Sequence, residues 1–210
     1  PQPVNTPYTV DRMKDVLSNF FVESYVNTTP THYYSGVELT TATCDNPDVA
    51  EVGFVGRTLL NAFNALEYGS LQNRPELVNS ANSIFDTYLT NGFSPAGFFN
   101  EVVHYNRDFK EPNLSIRRQS EGVYAILNYL DYEKQHKRKH PEWEKRLKVI
   151  LDSFLRLQNA DGSFPRKFKD DFSIVDGTGG STPSATLPLV MAYKYFKDKR
   201  YLESAKRTVN

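Results

Sequence analysis

The sequence lacks the features that mark disulfide-rich, membrane-spanning or strongly charged proteins. Cys44 is its only cysteine, which excludes a disulfide framework within the chain. No stretch approaches the roughly 20 consecutive apolar residues of a membrane span, so we expect no membrane-spanning segment. Lys and Arg together number 25, as do Asp and Glu, and this balance gives no reason to expect nucleic acid or an anionic membrane as a partner.

Motifs of several common enzyme classes are also absent. The patterns G-x-x-x-x-G-K-[ST], G-x-S-x-G and H-E-x-x-H do not occur, so phosphate-loop, serine-hydrolase and zinc-protease mechanisms lack their usual signatures. His136 and His140 have the spacing of a metal pair on a helix, but the segment HKRKH around them is basic and supplies no acid. We therefore expect neither a metal site nor a bound cofactor.

What the sequence does contain is a repeated unit, with a spacing of roughly sixty residues. Each unit has an amphipathic helix, a short turn, a second helix and a long loop rich in Gly, Pro and aromatic residues. Pro75-Glu76 and Pro141-Glu142 occupy equivalent positions, at the start of the second helix in the first two units. This pattern predicts stacked antiparallel helical hairpins.

The fold class predicted from these repeats is all-α, and residues 1–210 are expected to form a single domain of about three hairpins. Strand signals are weak, although small hairpins inside the loops remain open. The predicted helices cover residues 9–26, 49–68, 75–90, 117–135, 141–158, 182–196 and 199 to the end.

The long loops, at 27–48, 91–116 and 159–181, alternate with short charged turns. Because the helices alternate in direction, all three long loops are expected on one face of the array. Loops longer than about 12 to 15 residues in a compact domain are usually functional, so this face is the expected location of a site. The less charged helices, 49–68, 117–135 and 182–196, are expected to line the interior.

Two phrases carry a resemblance to a known family: LQNADGSFPRKF, and DGTGGSTPSATLPLVMAYKYFKDKRYLESAKR. They resemble the repeats of six-hairpin glycosidase-like proteins, the bacterial α/α-toroid glycoside hydrolases and polysaccharide lyases. The resemblance covers residues 50–210 and implies that the hairpins form part of an (α/α) toroid. It also implies a poly- or oligosaccharide substrate and an extracytoplasmic location, periplasmic or secreted. A complete toroid of this family has six hairpins, so we expect the chain to be part of a longer protein.

Glycoside cleavage needs two carboxyl groups facing each other across the sugar. Glu101, between the aromatic run GFF and VVHY, has an apolar setting that suits a general acid with a raised pKa, or it is a solvated carboxylate or helix cap. Asp176, in VDGTGGST, and Glu121, at the start of an inner helix, are the candidate base or nucleophile. The alternative for Asp176 is an Asp-Gly turn before a capped helix.

Substrate-binding candidates lie on the same face. Arg117 and Arg118 can bind the carboxylate of a uronic acid or a sulfated sugar, or form ion pairs with Glu121 or a loop acid. The remaining candidates are the side chains suited to holding a sugar ring, which are otherwise loop core: Tyr34, Phe98, His104 and Tyr105.

Three functions remain open at this stage. The first is a glycoside hydrolase with Glu101 as acid and Asp176 or Glu121 as base or nucleophile. The second is a polysaccharide lyase, which needs a Tyr or His base beside a charge-neutralising Arg, as Tyr105 or His104 with Arg117 could supply. The third is a glycan-binding helical-repeat module without catalysis.

Overall fold

The computed structural model describes residues 9–28, 34–37, 39–40, 45–46, 49–53, 57–105, 107 and 111–209. Cys44 lies outside these ranges. The described residues form seven α-helices joined by loops with short strands, which confirms the all-α prediction. The helices are α1 (Val10–Glu23), α2 (Thr58–Gln72), α3 (Pro75–Asn91), α4 (Ile116–Gln135), α5 (Pro141–Leu157), α6 (Pro183–Phe196) and α7 (Lys199–Arg207).

Local sequence signals account for where several helices begin. Pro75 and Pro141 occupy the first position of α3 and α5, where the missing N–H of proline costs no helical hydrogen bond. The Thr9 hydroxyl accepts a hydrogen bond from the Arg12 N–H at the start of α1. The Ser115 hydroxyl likewise accepts a hydrogen bond from the Arg118 N–H at the start of α4. The helix starts predicted from the two Pro-Glu pairs are therefore confirmed.

The helices form an inner row backed by outer helices. α4 packs against α2 on one side and α6 on the other, so these three helices are neighbours. α3 packs on α2, α5 on α4 and α7 on α6, while α1 contacts α2 and α3. The inner row consists of α2, α4 and α6, as expected. Charge does not separate the two layers, because α4 carries six charged residues and the outer helix α3 only two.

One predicted helix is wrong at its N-terminal end. The segment from Val49 to Glu51 does not begin a helix but forms a strand, β5, and α2 begins only at Thr58. β5 pairs antiparallel with β6 (Val102–His104), and all three of its residues are buried. A strand this short, whose partner lies some fifty residues away in sequence, has too few residues to show an alternating pattern.

The described strands lie in the segments between the helices, and two of their pairings join one of these segments to another. β1 (Tyr25–Val26) pairs with β2 (Gly36–Val37), and β3 (Leu39–Thr40) pairs with β4 (Asp45–Asn46). β5 and β6 connect the first long loop to the second. β7 (Leu114–Ser115), β8 (Lys167–Phe168) and β9 (Ile174–Asp176) form a three-stranded sheet that connects the second loop to the third. The long loops therefore share one face of the array, as predicted.

The close approach of α4 to the loops requires a glycine at position 122. A Cβ at Gly122 would lie 2.7 Å from Val52 Cγ1 and 2.7 Å from Phe99 Cε2, and both of these side chains are buried. Since there is no free volume on this side of α4, a larger residue must displace the loop segments that carry Val52 and Phe99.

We predict that Gly122→Val lowers the free energy of unfolding by about 1–3 kcal/mol, the usual cost of overpacking a core. Chemical denaturation measures this value. Gly180→Val is the matched control, because a Cβ at Gly180 would meet no atom within 4 Å. Equal stability of the two variants would contradict the packing of α4 against these loops.

Candidate functional site at the N-terminus of α4

One arginine at the start of α4, Arg118, lies among three glutamates. Its Nη2 is 3.1 Å from Glu51 Oε1, and its Nη1 is 3.1 Å from Glu111 Oε2 and 3.7 Å from Glu101 Oε2. One positive charge cannot balance three negative charges in a partly buried place, so the arrangement favours a proton on one carboxyl group. We call these four side chains the Arg118 cluster.

Glu101 is the carboxyl group of the cluster that is best placed to hold this proton. Its residue is 1% exposed, and burial raises its pKa from 4.5 to about 7. Two hydrogen bonds lower the pKa of Glu101, but burial outweighs them. The Ser115 N–H donates to Oε1 at 2.6 Å, and Gln119 Nε2 donates to the same oxygen at 2.9 Å. A carboxyl group with this pKa is partly protonated at neutral pH, the state that a general acid needs.

Gln119 holds the loop that carries Glu101 against α4. Its Nε2 donates to the Phe99 carbonyl at 2.9 Å, and its Oε1 accepts from the Phe99 N–H at 2.9 Å. The Glu101 carbonyl in turn accepts from the Val52 N–H at 2.9 Å, next to β5. The buried Gln119 amide thus fixes the position of Glu101 relative to both α4 and the first long loop.

A second group of charges lies one turn further along α4. Glu121 Oε1 is 3.1 Å from Arg117 Nε, and Glu121 Oε2 is 3.5 Å from Arg57 Nε. Arg57 precedes α2 and has a left-handed backbone conformation, with φ at 41°. The two neighbouring arginines therefore have different partners. Arg117 pairs with Glu121, and Arg118 pairs with the three glutamates of its cluster.

Asp176 occupies a turn at the end of β9. It accepts hydrogen bonds from the Thr178 hydroxyl at 2.6 Å and the Thr178 N–H at 3.0 Å, and its Oδ2 is 3.2 Å from Arg166 Nη1. The hydrogen bonds from Thr178, and then the charge of Arg166, lower the pKa of Asp176. The predicted Asp-Gly turn is therefore present, and its carboxylate is ionised at neutral pH. The capped helix expected after this turn is wrong, because Thr182 makes no side-chain cap at the start of α6.

The three-stranded sheet brings Asp176 near the Arg118 cluster. Ser115 pairs with Lys167, and Lys167 pairs with Asp176. Two strand spacings separate the backbone of Asp176 from that of Ser115, a distance of about 10 Å. Ser115 itself contacts Glu101 through both its N–H and its hydroxyl. Glu101 and Asp176 therefore lie at the same end of the array.

The aromatic candidates lie deeper than a sugar-binding surface requires. Phe98 is 0% exposed and packs against Phe168, with the ring centroids 5.0 Å apart. Tyr105 is buried and donates to the Val37 carbonyl at 2.7 Å, and Tyr34 is buried and donates to the Asn91 carbonyl at 2.7 Å. These three rings belong to the core beneath the loops, which is the alternative interpretation, and none offers an open face to a ligand.

His104 differs from these aromatic residues because it keeps partial exposure. It lies at the end of β6, and its Nε2 is 3.3 Å from Arg107 Nη2. The predicted site residues thus fall into two groups. Glu101, Arg117, Arg118 and Glu121 lie at the start of α4, and Asp176 lies on the adjoining sheet.

Sequence reasoning missed several members of this site. Glu51 lies in a segment that the sequence pattern predicts as helix but that forms a strand. Its Oε2 is buried and has no hydrogen-bond partner among the described residues. Glu111 and Arg57 carry no local signal, because their contacts join segments distant in sequence. Gln119 could have been recognised as a polar residue on the apolar face of α4, since it lies three residues after Ile116 and four before Val123.

No metal site or membrane span is found in the part of the chain that the structure describes. There, no three His, Cys, Asp or Glu side chains are grouped to hold a metal ion, and no helix is long and apolar enough to cross a membrane. His140 contacts Glu133 instead, with Nε2 2.7 Å from Glu133 Oε2.

Comparison with known proteins identifies the fold. No protein-family model matches the sequence, and no curated protein matches significantly. Among solved structures, a possible member of the GH105 family from Salmonella enterica is similar with a TM-score of 0.73 at 15% identity, over 93% of this chain and 50% of that one. The unsaturated glucuronyl hydrolase from Bacillus sp. GL1 has a TM-score of 0.68 at 13% identity, over 96% and 55%. The cellobiose 2-epimerase from Spirochaeta thermophila has a TM-score of 0.66 at 13% identity, over 99% and 55%.

These matches confirm the resemblance at the level of the fold. The chain has the helical-hairpin architecture of six-hairpin glycosidase-like enzymes, and it spans about half the length of these structures.

The buried Glu101 carboxyl predicts a specific pH dependence of stability. Between pH 4.5 and about 7 the folded state binds a proton at Glu101 that the unfolded state has released, so stability falls as the pH rises through this window. Glu101→Gln resembles the neutral form and removes this penalty. We predict that the stability of this variant relative to wild type increases by about 2–3 kcal/mol between pH 5 and pH 8.

Urea denaturation at the two pH values measures the difference. Glu67→Gln, at an exposed position of α2, is the control and is expected to follow wild type at both pH values. A stability difference between Glu101→Gln and wild type that stays constant with pH would show that Glu101 is already ionised at pH 5.

Proposed function

We propose that this chain contributes the catalytic site of a carbohydrate-active enzyme, and that the enzyme is a glycoside hydrolase cleaving a poly- or oligosaccharide. The observation that carries the proposal is the opposite shift of two carboxyl pKa values at one end of the array, raised for Glu101 and lowered for Asp176. Environments that separate two carboxyl groups in this way assign one as acid and the other as base or nucleophile. The similar fold of a glucuronyl hydrolase supports the choice of substrate class.

In this mechanism Glu101 supplies the proton and Asp176 acts on the opposite side of the sugar. The acid protonates the glycosidic oxygen as its bond to the anomeric carbon breaks, while the ionised carboxylate attacks that carbon or activates a water molecule. Because Glu101 is buried, its proton reaches a ligand through the Ser115 hydroxyl, which lies 3.3 Å from Glu101 Oε2. Glu121, between Arg57 and Arg117, is the alternative base.

Among the substrate-binding candidates, Arg117 is better placed than Arg118 to contact an anionic sugar. The Arg117 side chain is 45% exposed, whereas the Arg118 guanidinium is enclosed by the three glutamates of its cluster. The partly exposed His104 imidazole is a second candidate contact. A periplasmic or secreted location suits this substrate class and stays a prediction.

A lyase is the second candidate, and the burial of Tyr105 decides which base it would use. The Tyr105 hydroxyl donates to the Val37 carbonyl inside the core, so it cannot reach a sugar without leaving this position. A lyase would therefore use His104 as its base, with Arg117 neutralising the charge of the sugar carboxylate. A glycan-binding module without catalysis would use the same surface.

The experiment is product release from a panel of neutral, uronic-acid and sulfated polysaccharides, followed by both reducing ends and the ultraviolet absorbance of unsaturated uronates. We expect reducing ends without absorbance. Glu101→Gln and Asp176→Asn are each expected to lower kcat by about 100-fold or more, the range for loss of an acid or base.

Two controls match these substitutions. Asp171 makes the same kind of turn as Asp176, accepting from the Ser173 hydroxyl and N–H, so Asp171→Asn tests the loss of a carboxylate charge from such a turn. Glu203→Gln, on the exposed side of α7, tests the loss of an acidic charge. Both controls are expected to keep wild-type turnover.

The other possible results would contradict the hydrolase proposal or its site assignment. Ultraviolet-absorbing product would establish a lyase and shift attention to His104. Conversion of a free sugar to an epimer or isomer without cleavage would exclude hydrolysis. Turnover within a few fold of wild type in both Glu101→Gln and Asp176→Asn would refute the assignment of the acid and base, and no product from any substrate would favour the binding module.

A further inference from the structure

The end of the array opposite the long loops carries a concentration of positive charge. Two turns lie there, residues 134–140 between α4 and α5 and residues 194–200 between α6 and α7. Together they contain eight basic residues and a single acidic one, Asp198, although the whole chain has equal numbers of acidic and basic residues. The corresponding turn between α2 and α3 has one basic residue, Arg74, which pairs with Glu76.

Only some of these positive charges are neutralised within the chain. Arg138 is held by Glu133, and Arg200 is held by Asp198 and Asp152. Six lysines of the two turns have no carboxylate within 4 Å among the described residues, and we call them the lysine rim. They are Lys134, Lys137, Lys139, Lys194, Lys197 and Lys199.

A groove of about 260 Å³ runs between α4 and α6 at this end, and two lysines of the lysine rim line it. Leu127 and Met191 provide its apolar part, while Lys134 and Lys194 contribute one ammonium group from each helix. Because α4 rises about 1.5 Å per residue, the groove lies about 20 Å from the Arg118 cluster. It is therefore separate from the candidate catalytic site.

The other lining groups indicate the kind of anion that fits. Asn128 Nδ2 donates to the Tyr124 carbonyl, and Asp131 Oδ2 accepts from Gln135 Nε2. The second amide hydrogen of Asn128 and the other carboxylate oxygen of Asp131 can bind hydroxyl groups in the groove. Lys134 Nζ lies over the Tyr195 ring, 5.1 Å from its centroid, so this ring has no open face on that side for a nucleobase to stack on.

We propose that this groove and the lysine rim bind a segment of an acidic polysaccharide, as a second site separate from catalysis. Carboxylates or sulfates along the glycan contact Lys134 and Lys194, and sugar hydroxyls contact Asn128 and Asp131. The choice of a glycan rests on the proposed function, whereas the choice of an anion rests on the charges alone.

The test is calorimetric titration of the full chain with a heparin-derived octasaccharide, which carries both sulfates and carboxylates. The double variant Lys134→Gln/Lys194→Gln is expected to raise Kd at least tenfold, and the affinity of wild type is expected to fall with added salt. Lys14→Gln/Lys206→Gln is the control for charge, since both lysines are exposed on outer helices and make only surface pairs, and its Kd is expected to match wild type. Thermal unfolding of each variant confirms that the fold is kept.

Three outcomes would overturn the proposal. Octasaccharide binding that is absent, or unchanged in Lys134→Gln/Lys194→Gln, would exclude the groove. Equal affinity for a neutral cello-oligosaccharide would exclude recognition of the anion. Equal affinity for single-stranded DNA of the same charge would exclude glycan selectivity and assign the surface to nucleic acid. Failure of the hydrolase proposal would leave the titration unaffected, because binding is measured without turnover.

Discussion

The first turn of α4 is the constraint on which the arrangement of the loops depends. Gln119 satisfies both backbone groups of Phe99 there, and Glu101 accepts the Ser115 N–H that precedes the helix. Leaving a buried polar group unpaired costs about 1–3 kcal/mol, so these contacts hold the second long loop on α4 in one position. Since β5 and β6 then tie the first long loop to the second, the geometry of the candidate site follows from the side chains of this single turn.

The charges around α4 follow the direction of its helix dipole. Negative charge is favourable near a helix N-terminus and positive charge near its C-terminus. Glu51 and Glu111, at the start of α4, and Lys134, in its last turn, follow this rule. Arg117 and Arg118 depart from this rule. Arg117 is compensated by Glu121 and Arg118 by Glu51 and Glu111, so carboxylates offset the cost of placing two cations at a helix N-terminus.

The sequence predicted the helices because each has its own local signal, either a 3.6-residue apolar repeat or a Pro-Glu start. It failed at Val49–Glu51, where a three-residue strand exists only through pairing with Val102–His104. The residues of the candidate site also differ in whether the local sequence indicates them. Glu101, Arg118 and Asp176 were found from their positions beside the loops, whereas Glu51 and Glu111 join Arg118 only after folding. Phe98 showed how little a loop sequence says about burial, since an aromatic ring suits a core and a sugar equally well.

The two ends of the inner row can carry separate functions because they are electrostatically independent. Charges in solution are screened over about 8 Å at physiological ionic strength, and the groove lies about 20 Å from the Arg118 cluster along α4. Protonation at Glu101 is governed by its own burial and by its hydrogen bonds from Ser115 and Gln119, all of which lie at the loop end. A long polymer can still connect the two ends, since a chain held at the rim raises the local concentration of its other segments at the loop face. Any coupling between binding and turnover should then depend on the length of the glycan rather than on its charge alone.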